Sequence, residues 1–179
     1  MKTLDKKSDV LIAVASYNEA NNIKELVRRI RSACGSSVDI LIVDDNSPDG
    51  TQNLVSSLQV NDKNIHLVGR KYKLGLGSAH KMIFAFAIAN NYAKVVTLDA
   101  DLSHRPEEIP KLLEKSGKEK FVIGSRYTEG GSSNYSGWRN FVSRVGNFVS
   151  RLVVGTNLRE FTTSFRVFDT ATLRKIPLH

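Results

Sequence analysis

Val95-Val96-Thr97-Leu98-Asp99-Ala100-Asp101-Leu102-Ser103-His104 is an apolar run ending in two carboxylates one residue apart. The pattern predicts a buried strand that delivers acids to the edge of a sheet. Alternate strand residues point to one side, so Asp99 and Asp101 can converge on one target. Two carboxylates at that spacing suit a hard divalent cation that keeps some of its water and grips a diphosphate. The plainer reading is a strand followed by a polar turn, with Ser103 or His104 capping a helix that starts near Pro106.

Upstream, Val10 to Ala15 is a continuous apolar run, the mark of a strand buried on both faces. Ser16-Tyr17-Asn18-Glu19 breaks it, and Ile23, Leu26, Val27 and Ile30 then recur at helical spacing up to a stop at Gly35. A second strand, Ile40 to Val43, runs into Asp44-Asp45-Asn46-Ser47-Pro48-Asp49-Gly50, whose last three residues are strong turn formers. Thr51 is placed to cap a helix carrying Leu54, Val55 and Leu58. A third strand is predicted around Ile65 to Val68, then a basic, glycine-bearing loop from Arg70 to Ser78 and an apolar helix from Ala79 to Asn90.

Downstream, Pro106-Glu107-Glu108 reads as an acidic first helical turn, and Phe121-Val122-Ile123 as a fifth strand ending at Gly124-Ser125-Arg126-Tyr127. Strand and helix thus alternate through five units with short connections. The expected fold is α/β: an open, mostly parallel sheet with helices on both faces. After Tyr127 come a polar glycine-serine loop from Thr128 to Gly137 and a wide apolar helical stripe from Trp138 to Leu152. Core packing is the default for such a stripe, and contact with a membrane surface the alternative. Phe161 to Phe168 predicts a further strand bearing Arg166, and Thr170 to Ile176 the start of a helix.

Composition bounds the function. The 179 residues suffice for one sizeable core, and 41% hydrophobic with 25% charged residues is ordinary globular usage. The lone cysteine, Cys34, excludes an internal disulfide and fits a reducing compartment. Val10 to Ala15 is too short for a secretory signal core, and Met82 to Ala89 falls far below the ~18 apolar residues of a membrane span. A soluble or peripheral chain is expected. Its net charge of +8 implies an anionic partner without choosing among nucleotide, nucleic acid and acidic membrane.

In parallel α/β sheets, ligands gather beyond the carboxyl ends of the strands. The conspicuous polar groups sit at four such ends: Tyr17 and Glu19; Asp44 and Asp45; Asp99 and Asp101; Ser125 and Arg126. Asp45 suits hydrogen bonds from a nucleobase or ribose, the Asp99–Asp101 pair a metal that bridges phosphates, and Arg126 or Lys73 the remaining phosphate charge. The Gly75-Leu76-Gly77 loop lacks both the lysine-serine ending of a P-loop and the third glycine of a dinucleotide fingerprint.

The segments Ala15 to Glu19, Val43 to Thr51, Lys73 to Gly77, Asp99 to His104, Gly124 to Tyr127, Gly137 to Arg139 and Thr162 to Arg166 resemble, in order, the dolichol- or polyprenyl-phosphate mannosyltransferases. That family belongs to the inverting glycosyltransferases of GT-A, Rossmann-like fold. The resemblance implies a nucleotide-sugar donor, usually GDP-mannose, a polyprenyl or dolichyl phosphate acceptor, and Mg2+ or Mn2+ at the Asp-x-Asp site. Carried over by position, Ala15, Tyr17, Glu19, Val43 and Asp45 would surround the nucleoside. Asp99, Ala100 and Asp101 would bind diphosphate and metal, with Ser103 completing the metal shell. Arg126 would approach phosphate or sugar, and Arg139, Ser143 and Arg166 would lie on the lipid-phosphate side.

Peripheral contact at the cytoplasmic face of a membrane is the corresponding expectation. Ala15 stands where the family has proline, and Glu160 where it has aspartate. Family members commonly continue for several dozen residues past Arg166, so a single catalytic domain over residues 1–179, without the family's C-terminal part, is expected.

Other readings explain less. A receiver domain would place its acidic pair after the first strand, whereas a full strand-helix unit precedes Asp44 and Asp45 here. A nucleic-acid-binding domain would gather arginines with stacking aromatics, and these arginines are dispersed. A nucleotidyltransferase shares the acidic metal site but would release diphosphate from a nucleoside triphosphate. Glucosyl transfer from UDP-glucose is the alternative nearest to the main reading.

Overall fold

A computed structural model of the chain describes residues 8–117, 120–124 and 163–177. The central strands are buried on both faces, as their continuous apolar runs require. In β1 (Val10–Ser16), Ile12 and Val14 face one core while Leu11 and Ala13 face the other. In β2 (Asp39–Asp44), Ile40 and Ile42 alternate in the same way with Leu41 and Val43. On the first side α1 (Ala20–Cys34) lays down Ile23, Leu26, Val27 and Ile30, joined by Val55 of α2 (Thr51–Asn61) and by Ile109 and Leu112 of α4 (Ile109–Lys115). On the second side α3 (Leu76–Ala89) contributes Ala79, Ile83 and Ala87, and α5 (Thr170–Leu173) contributes Leu173. Each Leu or Ile taken fully out of water contributes about 1.5–3 kcal/mol, so these two layers hold the sheet between them.

With β3 (Ile65–Gly69), β4 (Lys94–Asp99), β5 (Phe121–Ile123) and β6 (Arg166–Asp169), the described strands form one sheet in the order β3-β2-β1-β4-β6-β5. The β1–β2, β1–β4 and β2–β3 pairings are parallel. β6 enters antiparallel between β4 and β5. This insertion departs from a simple succession of parallel strands. Its physical basis is that β6 can be covered on both faces, Val167 packing into the first core and Phe168 against the second. The three half-buried residues of β5 are then left to the outer position.

Several local expectations change. Thr51 is the first residue of α2 rather than its cap: Asp49 Oδ1 accepts from the Thr51 backbone N–H at 3.0 Å and from its hydroxyl at 2.6 Å. Asp49 Oδ2 also accepts from the N–H of Ala20 at 2.9 Å, so one carboxylate serves the first turns of two helices. Pro106–Glu108 forms a 3-10 turn with no side-chain cap from Ser103 or His104.

β6 begins at Arg166, later than the expected strand start at Phe161. Within Thr163–Phe165, Thr163 Oγ1 takes the N–H of Phe165 and the Thr163 carbonyl takes Arg166 Nε, local bonds that compete with a ladder. The apolar stripe over Trp138–Leu152, the loop from Thr128 to Gly137, and Ser125, Arg126, Arg139 and Ser143 lie outside the described residues. No described helix is long and apolar enough to cross a membrane.

Candidate active site

Strand register assembles the site. Ala15 pairs with Val43 on one side and with Asp99 on the other, and Ser16 pairs with Asp44. The ends of three parallel strands are therefore level, and Asp99 emerges beside the segments that start at Ser16 and Asp45. Arg166, running the opposite way, pairs with Thr97. The antiparallel strand thus brings Thr163–Arg166 to the same edge.

Asp99 is the last residue of β4 and half-buried. Burial acts to raise its pKa, but hydrogen bonds from His104 and Ser164, with the positive potential of His104 and His80, hold it below the usual carboxylate range. The carboxylate is thus held in its anionic form by its neighbours. Asp101 is exposed and stands in a turn rather than on the strand, so the two acids are not aligned by strand alternation. The N–H of Ser103 donates to Asp101 Oδ1 at 2.9 Å, and Leu102 between them adopts a left-handed φ of 60°. That conformation costs a leucine about 1–2 kcal/mol and is the kind of strain that collects at functional turns.

The chemistry of this donor set fits Mg2+ or Mn2+. Both first candidates are hard oxygen donors, although among the described residues no group of three or more His, Cys, Asp or Glu side chains is gathered to hold a metal ion on its own. Such a pair leaves coordination positions for water and phosphate oxygens, as these ions prefer. Ser103, exposed beside Asp101, is the nearby hydroxyl in the sequence.

The other residues divide by what their side chains already touch. Tyr17 is 36% exposed, and Lys73 Nζ lies 3.7 Å from its ring centroid, a cation–π contact that joins the basic loop to the end of β1. Glu19 precedes α1 and accepts from Asn22 Nδ2 at 2.7 Å, which makes it part of the helix start. Val43 and Ala100 have buried side chains within the two cores, so only their backbones face the site.

Asp45 is 4% exposed. Its Oδ2 accepts from the N–H groups of Leu74 and Gly75 at 3.2 and 2.9 Å, and its Oδ1 meets Arg70 Nη2. The carboxylate assigned to a base or ribose is therefore engaged within the chain, pinning the basic loop. Asp44, fully buried, accepts from Ser16 Oγ at 2.8 Å, Ser47 N at 2.9 Å and Gln52 Nε2 at 2.8 Å, an organising role for the turn.

The structure thus brings together Ala15, Tyr17, Asp45, Asp99, Asp101, Ser103 and Arg166 along one edge. Two further residues, Arg70 and His104, join them, neither of which is assigned a site role by its place in the sequence. Arg70, the ion-pair partner of Asp45, was visible only as one of several basic residues in a loop. His104, whose Nε2 lies 3.1 Å from Asp99 Oδ2, stood in the opening segment but read as a helix cap.

The model for glycosyl transferase family 2 matches residues 11–176. The chain belongs to glycosyl transferase family 2. It is 37% identical over 170 residues to the undecaprenyl-phosphate mannosyltransferase of Micrococcus luteus, covering 94% of this chain and 70% of that protein. It is also 37% identical over 171 residues to the polyprenol monophosphomannose synthase of Mycolicibacterium smegmatis, covering 94% of this chain and 64% of that one.

Two solved structures share its GT-A fold. A mannosyltransferase from Pyrobaculum calidifontis, in complex with GDP-Man and Mn2+, superposes with a TM-score of 0.66 at 17% identity, covering 97% of this chain and 49% of that one. Glucosyl-3-phosphoglycerate synthase from Mycobacterium tuberculosis, with Mn2+, UDP and glucosyl-3-phosphoglycerate, gives 0.67 at 19% identity, covering 94% and 59%. The chain therefore spans between about half and 70% of the length of these four proteins.

Proposed function

We propose that this family 2 chain forms the donor-binding catalytic domain of an inverting mannosyltransferase that moves mannose from GDP-mannose to a polyprenyl or dolichyl phosphate. The observation that carries the reading is the level row Val43–Ala15–Asp99, which sets an acidic turn beside the ends of β1 and β2. Its similarity to two polyprenyl-phosphate mannosyltransferases supports the choice of sugar and acceptor.

The nucleoside would lie over the ends of β1 and β2, between Tyr17 and the loop that Asp45 and Arg70 hold. Asp99 and Asp101, with Ser103, would hold Mg2+ or Mn2+ against the diphosphate. When bound, that ion supplies the charge neutralisation that makes the nucleoside diphosphate a better leaving group. The left-handed turn at Leu102 keeps Asp101 facing outward, and the hydrogen bonds to Asp99 keep that carboxylate ionised before substrate arrives. Their work is preorganisation, done before the sugar is transferred.

The acceptor oxygen needs little general-base help, because a phosphate monoester is already anionic near neutral pH. It needs orientation and relief from repulsion by the donor's diphosphate. Arg139, Ser143 and Arg166 are proposed for the acceptor phosphate and Arg126 for the donor's phosphate or sugar, Arg166 being held by its Nε donating to the Thr163 carbonyl at 2.7 Å. Direct displacement then inverts the anomeric carbon. Peripheral contact with the cytoplasmic face of a membrane follows from the acceptor's lipid chain and is supported by the net charge of +8.

Incubation with GDP-mannose, Mn2+ and a short polyprenyl phosphate, with NMR of the product, tests the reading. It expects mannosyl phosphate of inverted configuration. A retained configuration, or transfer from UDP-glucose in preference to GDP-mannose, contradicts it.

A further inference from the structure

His104 is 7% exposed, although the turn that carries it is open to water on either side at Ser103 and Arg105. Buried polar side chains take partners, and this one has two. Its ring stacks on Phe165 with centroids 5.4 Å apart and planes 20° from parallel. Its Nε2 lies 3.1 Å from Asp99 Oδ2.

Phe165 has little freedom to move. A methyl group on Gly124 would stand 2.5 Å from its ring, so the glycine is there to admit it. Its carbonyl accepts from the Gly124 N–H at 2.8 Å, its own N–H donates to Thr163 Oγ1 at 3.1 Å, and Thr97 Oγ1 donates to the neighbouring Ser164 carbonyl at 2.6 Å. The plane of the imidazole is thus set by the segment before β6, far along the chain, as well as by its own turn.

A carboxylate at a strand end can swing about its last bond, and each orientation offers a cation a different pair of lone pairs. A donor fixed on one oxygen removes that freedom. We propose that His104 is a positioning residue of Asp99: clamped against Phe165, it donates its Nε2 proton to Asp99 Oδ2 and helps to fix the carboxylate for the divalent cation shared with Asp101. The inference rests on the reading of Asp99 and Asp101 as the metal-diphosphate centre. His104 is not itself a ligand in this arrangement, since its Nε2 is directed at the carboxylate. The consequence is a physical link between the Thr163–Arg166 segment, on the side proposed for the acceptor, and the group that holds the donor.

Two variants separate the hydrogen bond from the stacking. His104→Phe keeps a ring against Phe165 and removes the donor; His104→Gln keeps a donor of similar reach and removes the ring. The readout is Mn2+ affinity in the presence of GDP, followed by electron paramagnetic resonance, on full-length chains whose circular dichroism matches the parent. His104→Phe is expected to weaken Mn2+ binding about 10–100-fold, the usual cost of losing a partner of a metal ligand, with His104→Gln much closer to the parent. Unchanged affinity in His104→Phe, or equal losses in both variants, overturns the positioning role.

A second measurement needs no metal: 15N NMR of the imidazole should find a proton on Nε2 whose resonance moves in Asp99→Asn. An Nε2 without a proton overturns the inference. A parent chain that binds no Mn2+ with GDP overturns instead the metal reading of Asp99 and Asp101, whatever the imidazole shows.

Discussion

Asp44, Asp45, Asp99 and Asp101 are the same residue type at the same sheet edge, and their surroundings assign them different work. Asp44 and Asp45 are buried, Asp44 with hydrogen bonds to both oxygens and Asp45 held by two backbone N–H groups and the Arg70 guanidinium, whereas Asp101 is exposed with one oxygen in a turn. Asp45→Ala would leave the Arg70 guanidinium, with 5% of its side chain exposed, without its carboxylate. Urea unfolding should show a loss of about 3–5 kcal/mol, the cost of breaking a buried pair from one side. Asp101→Ala should shift the same unfolding curve by no more than about 0.5 kcal/mol, as exposed sites do, while removing metal-dependent nucleotide binding.

Cys34 gives a third contrast. Burial pushes its thiol up to about 11, so alkylation by iodoacetamide at pH 8 should be slow in the folded chain and fast once urea unfolds it. The residue types at the site were readable from sequence; which acid is free was not, because that depends on Arg70 and Ser16 approaching from other segments.

At the scale of elements, the periodic stretches were the most legible. Ile23, Leu26, Val27 and Ile30 are all buried on one face of α1, and Gly35, with φ 78°, stops it. Caps were less so: Asp49 and Thr51 are both good capping residues, and only the fold shows that Asp49 reaches both helix starts. Glu107, in the 3-10 turn before α4, makes paired hydrogen bonds at 2.7 and 2.6 Å with Arg29 of α1. The guanidinium lowers the Glu107 pKa from 4.5 to about 2.

A depressed carboxylate contributes stability above its unfolded pKa and loses it as pH falls through the folded value. The cost of Glu107→Gln should therefore be full at pH 7, shrink between pH 4.5 and 2, and vanish below. Glu107 is 46% exposed, so thermal melts should put that cost below about 1 kcal/mol and diminish it further at high salt. Gly124→Ala, which crowds a buried ring, should cost more, about 1–3 kcal/mol.

Over the whole molecule, alternation of strand and helix was enough to predict an α/β sheet with helices on both faces, because each unit is a local pattern. The order of the outer strands was not, since β6 pairs with β4 across a long stretch of chain and its apolar residues alone do not say which neighbour they meet. The site follows from that topology: parallel strands bring their ends level, and one antiparallel strand returns Arg166 to the same edge.

Asp99 and Asp101 are proposed to form a metal-dependent donor site for GDP-mannose. Titration calorimetry of GDP-mannose into the chain, with and without Mn2+ and beside Asp101→Ala, tests it most directly. Binding that requires Mn2+ and disappears in Asp101→Ala is the predicted result; binding indifferent to both the metal and the substitution would contradict it.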